Sequence, residues 1–412
     1  MKRFLLAIIR TIAAILLLFV LVLTIFSVSP IYRFQAPAPF SGPDIYNPYD
    51  GLSGSWKRSV FHTHSRTDGP FNECPLYADS VWSDYLRLGY DIVAFSNHNT
   101  LTPHPADSSL QINVYEHGYS FFKFHKLVFN PRSVNRFDHI LPFLVSQKQW
   151  QYDLLSGKAD FIMMNHPDRT VLATPRSMRL LTGYRLIEAD CNISSDLLKW
   201  DEALSAGHYS HSLLSDDCHD SRNHRKIARR CSWLDTPSPR YEDVAPVLMQ
   251  GRFYSMRIPD FGDGNWNEKY RANAKLPSIE DIGVRADSVY MRLSDPASIE
   301  AWGQGHTRLA EVRGDSISLR LPDDAPYVRF TARFDDGVII YSNAFARYDS
   351  ATADSPFTVS PHRVNILLTI LWNAALLLLA ILILRCLRVV LPHKKKESRP
   401  TVEQLRFRGI VP

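Results

Sequence analysis

The sequence predicts an α/β domain on a largely parallel sheet or barrel, then a small antiparallel β module, with a membrane-spanning helix on each side. Three observations support this organisation. Short apolar runs alternate with stretches of helical period from residue 56 to about 257, period-two alternation follows from about 277, and two long apolar runs bracket both. Strands that alternate with helices are typical of parallel sheets, and period-two alternation is typical of half-buried strands.

The two apolar runs are long enough to cross a membrane. The first extends from Phe4 to Ser27, interrupted mainly by Arg10, and the second from Ile366 to Leu384, interrupted only by Thr369 and Asn373. About 20 helical residues cross the roughly 30 Å of bilayer hydrocarbon. The first run exceeds the apolar core of a usual signal peptide and has no close cleavage site, which favours a signal anchor over a cleaved signal peptide.

Basic residues flank both runs. Lys2 and Arg3 precede the first run. The cluster after the second run comprises Arg385, Arg388, His393, Lys394, Lys395, Lys396 and Arg399. Because Lys and Arg concentrate on the cytoplasmic side of membrane helices, we expect both termini in the cytoplasm and the region between the helices outside it, in the periplasm or extracellular space.

The resulting division has six parts. They are an N-terminal transmembrane signal anchor (1–30), a Pro/Gly-rich linker (31–55), a central domain (56–275), the β module (276–350), a C-terminal transmembrane helix (364–390) and a basic cytoplasmic tail (391–412). We expect the β module to cover an edge of the central domain rather than to bind substrate.

Composition narrows the function classes. An apolar content of 45% and a charged content of 22% exclude wholesale disorder over the 412 residues. Much of the net charge of +5 comes from the C-terminal cluster and not from a basic face, so no nucleic-acid partner is expected. The cysteines include no C-x-x-C pair, which argues against a zinc finger; an exported domain has room for one disulfide, whose pairing stays open.

Four short apolar runs of the central domain lead into histidines. The segments that follow them are His62-Thr63-His64, Ser96-Asn97-His98, Asn165-His166-Pro167 and Ser215-Asp216-Asp217-Cys218-His219. The carboxyl ends of barrel strands converge on one rim, and strand side chains repeat every two residues, so the first two imidazoles share a face. Imidazoles with carboxylates suit zinc, manganese or iron. A lone His-x-His is more often a core or surface pair, but the repeated placement at strand ends predicts a metal site.

The order of these segments, together with Asp68-Gly69, Glu116 and His125, resembles the PHP (polymerase and histidinol phosphatase) family of metallohydrolases. The resemblance covers about residues 56–257. It implies a distorted (β/α)7 barrel, two or three divalent ions (manganese, iron or zinc) on its rim, and phosphomonoesterase or phosphodiesterase activity. The metal ligands that it implies are His62, His64, Asp68, His98, Glu116, His125, His166, Asp217 and His219.

The match to the family is uneven. Asp68 follows His64 by one residue fewer than in the family pattern, so it could instead be a turn residue that binds no metal. The segment around Glu116 lacks the glycine of the family's Gly-x-Glu pattern, so Glu116 could instead be a surface glutamate that binds no metal. His117 is a second candidate for the ligand position assigned to His125. Asn97 stands where the family commonly has aspartate, so the hydrogen bonds around the adjacent histidine are expected to differ.

The resemblance implies a phosphoesterase, and the two apolar runs with their basic flanks predict that it is membrane-anchored and faces outward. Two close divalent ions lower the pKa of a water molecule, and the resulting hydroxide attacks phosphorus without a protein nucleophile. A guanidinium matches the oxygens of a phosphate, and Arg169 is the first candidate, ahead of Arg222 and Arg66. Asp217 or Asp216 is the candidate proton donor to the leaving oxygen.

Two alternatives remain open on the sequence. One is a metal-dependent hydrolase of another bond, in the manner of an amidohydrolase. The other is a non-catalytic binding protein of the cell envelope in which metal only stabilises the fold. The expected partners are the lipid bilayer and a phosphorylated substrate from the envelope, from lipid-linked compounds or from scavenged extracellular phosphates.

Overall fold

The computed structural model describes residues 1–69, 72–119, 122–191, 195–357 and 362–391. The basic residues from His393 onward lie outside this part, so the cytoplasmic tail stays a prediction. The chain forms two compact units: residues 1–29 with the segment from 366 onward, and residues 30–365.

Regular elements follow the chain order. The helices are α1 Lys2–Ile25, α2 Ala78–Arg87, α3 Val145–Ser156, α4 Pro175–Met178, α5 Leu198–Ser205, α6 Tyr241–Gln250, α7 Trp266–Asn273 and α8 Ile366–Val390. The strands are β1 Tyr32–Arg33, β2 Asp44–Tyr46, β3 Trp56–Val60, β4 Ile92–Val93, β5 Val114–His117, β6 Lys126–Phe129, β7 Phe161–Met164, β8 Leu186–Ile187, β9 His211–Ser212, β10 Arg230–Asp235, β11 Phe253–Arg257, β12 Ile279–Arg285, β13 Ser288–Gly303, β14 Thr307–Arg320, β15 Tyr327–Arg333, β16 Ile339–Tyr341, β17 Phe345–Tyr348 and β18 Arg363–Val364.

Helices α1 and α8 form the first unit and pack along each other. Ala14 of α1 is buried against Ile383 and Leu387 of α8. The amide of Asn373 accepts a hydrogen bond from the backbone N–H of Ser29 (3.3 Å) and donates one to its carbonyl (3.1 Å). This pairing satisfies a polar side chain that interrupts the apolar run, which is how polar residues are accommodated between apolar helices.

Both helices meet the length and composition of membrane spans. Their apolar parts are Phe4–Ile25, with 22 residues, and Ile366–Val390, with 25 residues. At a rise of 1.5 Å per residue they are about 33 and 38 Å long, enough for a hydrocarbon core of roughly 30 Å. By length and composition, both helices are therefore able to cross a bilayer.

Strands β3 to β9 of the second unit are neighbours in chain order. β3 and β4 are parallel, β5, β6 and β7 pair antiparallel, and β7, β8 and β9 are parallel. Backbone hydrogen bonds join these groups at both edges. Asn99 N–H donates to the Glu116 carbonyl (2.9 Å) beyond β4, and His64 N–H donates to the Cys218 carbonyl (2.9 Å) beyond β3 and β9.

The same seven strands, or the residues directly after them, contribute side chains to one apolar cluster, together with β10, α6 and β11. Its fully buried members from these strands and their immediate ends are Phe61, Ile92, Val114, Leu127, Met163, Leu186 and Leu213. Because side chains alternate along a strand, the neighbours of several members belong to a second cluster on the other face: Tyr115, Val128, Ile162 and Ile187. Burial of both faces explains why β4, β7 and β8 are continuous apolar runs in the sequence.

The direction of β6 differs from the largely parallel arrangement that the sequence predicted. Lys126, the first residue of β6, lies opposite Met164 at the end of β7 and opposite His117 at the end of β5. The start of β6 therefore lies at the carboxyl ends of its neighbours. His125, directly before β6, consequently reaches the same edge as His166, which follows β7.

The predicted β module continues a sheet of the central domain. β10 pairs antiparallel with β3, β11 with β10, β16 with β11 and β15 with β16. β13 then pairs with β15, and β14 forms a long hairpin with β13. The sequence pattern missed β10 and β11 because neither run shows a clear alternation. The predicted division at residue 275 therefore falls within one continuous sheet.

All five cysteines lie in the described part of the chain, and all are free thiols. Cys74, Cys191, Cys218 and Cys231 are buried. Burial raises the pKa of Cys191 to about 12, which keeps this thiol protonated and unreactive. The single disulfide for which the sequence left room is not formed among these residues.

Candidate metal centre

The segment after β3 begins the candidate metal centre. His62 and His64 are both buried, and both imidazoles point the same way because they are two residues apart on extended backbone. The Nε2 atoms of both rings lie 3.2 Å from Oδ1 of Asp217. Asp217 follows β9, so two strand ends that are distant in sequence meet at this point.

Glu116, on β5, lies at the centre of the cluster. Its carboxylate oxygens have five imidazole nitrogens at 3.0–3.3 Å, which belong to His62, His64, His98, His125 and His166. Oε2 faces the first three rings, and Oε1 faces the other two. Four donors, His62, His64, Glu116 and Asp217, form one group within 4.8 Å of one another, and His98, Glu116 and His125 form a second. A carboxylate shared in this way suits two neighbouring metal ions.

The environment of His62 shows that the donors fit a divalent cation. Its Nδ1 lies 3.2 Å from a carboxylate oxygen of Glu188, to which it donates, so in the neutral ring Nε2 carries the lone pair. Nε2 is buried and has no hydrogen-bond partner within the described residues, although oxygens of Glu116 and Asp217 are 3.2 Å away. A lone pair beside two carboxylates is stable only with a cation or proton between them. Zinc, manganese and iron accept this mixture of nitrogen and oxygen ligands.

Two more histidines present Nε2 to the cluster. Nδ1 of His98 donates to the Gly118 carbonyl, and Nδ1 of His219 donates to the Asp217 carbonyl, both at 3.0 Å. Hydrogen bonds of this kind fix the orientation of metal-binding imidazoles. Oε2 of Glu73 lies 2.7 Å from Nε2 of His219 and 3.5 Å from Nε2 of His98. Glu73 therefore contacts both of these histidines at the edge of the cluster.

The charges of the cluster are strongly coupled. Burial alone lowers the pKa of His62, but the carboxylates of Glu116, Asp217 and Glu188 outweigh burial and raise it well above its usual value. Burial alone raises the pKa of Glu116, but the surrounding imidazoles hold it well below its usual range. Glu116 is therefore ionised at neutral pH, as a carboxylate ligand must be.

Glu188 was absent from the predicted site although the sequence contained a signal for it. Its carboxylate orients His62, and it accepts a hydrogen bond from the backbone N–H of His166 (3.0 Å). Glu188 directly follows the buried strand β8, the same position that histidines occupy after other strands. Its carboxylate positions the ring of His62, because its oxygens contact Nδ1 and leave Nε2 toward Glu116 and Asp217.

The loop after His64 presents Glu73 where the resemblance implied Asp68. Asp68 is exposed, and within the described residues it has no ion pair or hydrogen bond with the cluster. Glu73 is half-exposed and contacts two of the predicted ligands. The described residues of this loop form no helix or strand, so no periodicity in the sequence indicates which of its carboxylates faces the cluster.

His125, and not its competitor His117, faces Glu116. His117 follows Glu116 by one residue on β5 and therefore points to the opposite face of the strand. Its Nε2 donates to the Phe137 carbonyl (2.8 Å), and burial lowers the pKa of His117 to about 4. His117 is thus a neutral, buried histidine outside the cluster.

Backbone strain accompanies the cluster. His166 and Asp217 have φ values of 29° and 49°, in a region that residues other than glycine rarely occupy. Such conformations cost about 1–3 kcal/mol each and concentrate at functional sites, where the surrounding structure holds them in place. At both positions the strained residue contributes a side chain to the cluster.

Arg169 is the guanidinium closest to the cluster among the three predicted candidates. The 3-10 helix Pro167–Arg169 turns it toward Asp217, and its Nη1 pairs with Oδ2 of that carboxylate. Arg222 instead pairs with an adjacent aspartate at the surface, and Arg66 lies over a tyrosine ring. Arg169 is partly exposed, so its guanidinium remains accessible to a ligand.

Asp216, the alternative to Asp217 as proton donor, serves the local fold. Its carboxylate accepts hydrogen bonds from the backbone N–H groups of residues 228–230 and from the hydroxyl of Tyr85. Burial raises the pKa of Asp216. Four hydrogen bonds occupy its oxygens, which leaves Asp217 as the carboxylate that faces the cluster.

No protein-family model matches the sequence, and no curated protein matches it. A solved structure to which the chain is similar is that of a two-domain protein from Bacteroides vulgatus containing a predicted PHP-like metal-dependent phosphoesterase. The sequence identity is 15%, the match covers 75% of this chain and 91% of that one, and the TM-score is 0.34. Because this TM-score is low, function is inferred from the side-chain geometry of the metal centre.

Proposed function

We propose that the chain is a metal-dependent phosphoester hydrolase whose centre holds two or three divalent ions, as in the PHP family. The observation that carries this proposal is the shared carboxylate of Glu116 between two groups of metal donors, with the guanidinium of Arg169 beside them. Adjacent cations and a guanidinium complement the several anionic oxygens of a phosphoryl group. An amide, the bond of the alternative hydrolase, has one carbonyl oxygen and no anionic charge for that guanidinium.

In this proposal, each side chain of the metal centre has a specific role in binding or hydrolysis. The residues that would hold the ions are His62, His64, Glu73, His98, Glu116, His125, His166, Asp217 and His219. When bound, the ions activate water and neutralise charge on the phosphoryl oxygens. Arg169 orients the phosphoryl group, Glu188 fixes the ring of His62, and Asp217 keeps Arg169 at the cluster.

We also propose that strands β3 to β9 form a distorted (β/α)7 barrel with the metal centre on its rim. The hydrogen bonds that join both edges support this arrangement, and so does the one apolar cluster to which all seven strands or their ends contribute. The antiparallel β6 is the distortion. It brings the start of a strand, and with it His125, to a rim otherwise formed by strand carboxyl ends.

For the location, we propose that α1 and α8 cross a membrane with both termini in the cytoplasm and the metal centre outside. Their large apolar side chains support this, since Phe4 is 72% and Ile366 is 71% exposed in the protein alone. Such surfaces need an apolar surrounding. An outward site would act on envelope, lipid-linked or scavenged extracellular phosphoesters.

A topology measurement tests this location. A fluorescent protein that folds only in the cytoplasm, fused after Pro412, is expected to fluoresce, because the basic tail keeps that end inside. Alkaline phosphatase inserted in the exposed loop at Asp263 is expected to be active, because it requires export. A dark C-terminal fusion would contradict the two-span arrangement.

The activity is tested on the full chain, purified in detergent and loaded in parallel with Mn²⁺, Fe²⁺ or Zn²⁺. We expect stoichiometric metal and turnover of p-nitrophenyl phosphate, bis-p-nitrophenyl phosphate or both, which chelation abolishes. p-Nitroacetanilide serves as the amide substrate of the alternative hydrolase. Full metal content without turnover of either ester would contradict the proposal, and turnover of the amide alone would favour the alternative.

Replacing Arg169 by methionine is expected to lower kcat/KM for the better ester by about a hundredfold, a typical effect of removing one donor from a transition-state site. Metal content should stay at the wild-type level, because Arg169 is not a ligand. Lysine at this position should recover part of the loss, since it keeps the charge but not the fork. Arg222→Met, which removes a surface guanidinium, is the matched control; equal losses in both variants would rule out a specific role.

A further inference from the structure

A cavity of about 320 Å³ opens beside the metal centre. It shares Arg169, Asp217 and His219 with the centre, and its remaining walls are formed by Lys123, Asp216, Arg225 and Lys226. This volume lies at the lower end of the range for small-molecule sites, roughly 300–1,000 Å³. A group attached to a phosphoester at the centre therefore has room in this cavity.

Some charged side chains of the cavity wall already have partners within the protein, and others do not. Asp216 is occupied by four hydrogen bonds, and Asp217 pairs with Arg169 and faces the histidines. Arg225 lies 3.8 Å from Asp260 and 3.4 Å from Asp263. The wall therefore contains no acidic side chain that is left to balance the lysines.

Lys123 and Lys226 are the cations of the wall that have no paired carboxylate; Asp220, which lies in the field of Lys226, already forms an ion pair with Arg222. Both are exposed, and over the described ranges neither side chain has an ion pair or a hydrogen bond. Lys123 precedes β6 with a φ of 57°, in the left-handed region that a lysine rarely adopts. Two positive charges in the wall of a cavity attract an anionic group into the cavity.

We infer that this cavity binds a second phosphate group of the substrate, so that the preferred substrate is a bisphosphorylated molecule. The inference rests on the proposed function for the phosphate at the metal centre. A phosphate monoester carries about −1.5 to −2 charge at pH 7, which balances the two lysines. A substrate with one phosphate would use the ions and Arg169 but leave Lys123 and Lys226 without a phosphate to contact.

Matched phosphonates test this inference because their carbon–phosphorus bond resists hydrolysis. Calorimetry on the full-length, metal-loaded protein compares propyl-, butyl- and pentylphosphonate with the corresponding α,ω-bisphosphonates. We expect at least one bisphosphonate to bind about tenfold more tightly than its monophosphonate, the gain from one charge-assisted contact. In the variant Lys123→Gln/Lys226→Gln this ratio should fall to about one, whereas Lys158→Gln/Lys275→Gln, which removes two exposed lysines elsewhere, should preserve it.

The outcomes separate this inference from the proposed function. A wild-type ratio of about one at every chain length, or a ratio unchanged by the cavity substitutions, overturns the second phosphate site. A high ratio without turnover of either p-nitrophenyl phosphate or bis-p-nitrophenyl phosphate contradicts the hydrolase and leaves the phosphate site in place.

Competition against the tightest bisphosphonate then identifies the source of the second phosphate. Displacement by fructose 1,6-bisphosphate, and not by fructose 6-phosphate, supports a soluble substrate. Displacement by dihexanoyl phosphatidylinositol 4-phosphate, and not by dihexanoyl phosphatidylinositol, supports a lipid headgroup. Failure of both bisphosphorylated compounds to displace it overturns the assignment of the site to substrate.

Discussion

Replacing Glu116 by glutamine is expected to remove metal from the centre and to lower kcat/KM for the better of the two esters by at least about a hundredfold, since changes to residues that only support metal ligands already cost 10–100-fold. Glutamine keeps the size of the side chain but removes the charge. Because both groups of donors share this carboxylate, one substitution weakens both. The measurements are metal content by mass spectrometry and initial rates at several metal concentrations.

The matched control is Glu202→Gln, which removes a glutamate that pairs with Arg179 at the surface. It should keep metal content and rate. Thermal unfolding followed by circular dichroism shows whether each variant is folded. A folded Glu116→Gln protein with full metal content and wild-type kcat/KM would exclude the shared-ligand arrangement.

Replacing Arg329 by methionine is expected to destabilise the second unit by about 3–5 kcal/mol, the usual cost of leaving one partner of a buried ion pair alone. Arg329 on β15 donates through Nε (2.8 Å) and Nη2 (2.5 Å) to Asp201 on α5. Both side chains are 1% exposed, so water cannot replace the lost partner. The melting temperature should fall by on the order of 10 °C.

The pair also predicts the direction of an acid effect. Burial raises the pKa of Asp201, but Arg329 and His306 outweigh burial and hold it below its usual value. A carboxyl whose pKa is lower in the folded state stabilises the protein above its unfolded-state pKa. That contribution is lost as pH falls through the folded pKa. Melting temperatures measured from pH 7 downward should therefore show a smaller acid-dependent decrease in Arg329→Met than in wild type.

The control for Arg329 is Arg313→Met, which breaks an exposed pair with Asp335 and should leave the melting temperature nearly unchanged. The double variant Arg329→Met/Asp201→Leu should recover part of the loss, because it leaves no buried charge without a partner. A melting temperature of Arg329→Met within 2 °C of wild type, on the order of 1 kcal/mol or less, would contradict the expectation.

The strand ends show which residues of the metal centre could be predicted from the sequence. His62 and His64, two residues apart after an apolar run, predicted two imidazoles on one face, and the structure places both at Asp217. The period of a strand is a local property, so the sequence contains it. His166 and Asp217 were found by the same rule, although their unusual φ values were not foreseeable from it.

The resemblance to a family extended the prediction to residues that no local pattern indicated. Glu116 and His125 belong to strands whose ends face each other only because β6 is antiparallel. Strand direction depends on which neighbours a strand pairs with, and these are distant in sequence. Glu188 is different, because its position after the apolar run of β8 is a local pattern that the sequence contains, yet it was not among the predicted site residues.

The sequence by itself determined the alternation of strands and helices, the two apolar helices and the histidines at the strand ends, because each depends on a short period or a local composition. Only the tertiary structure decided that Glu116 lies at the centre, that Glu73 reaches the cluster where Asp68 was expected, and that the β module continues a sheet of the central domain. These features arise from contacts between segments far apart in the chain, which no local pattern encodes.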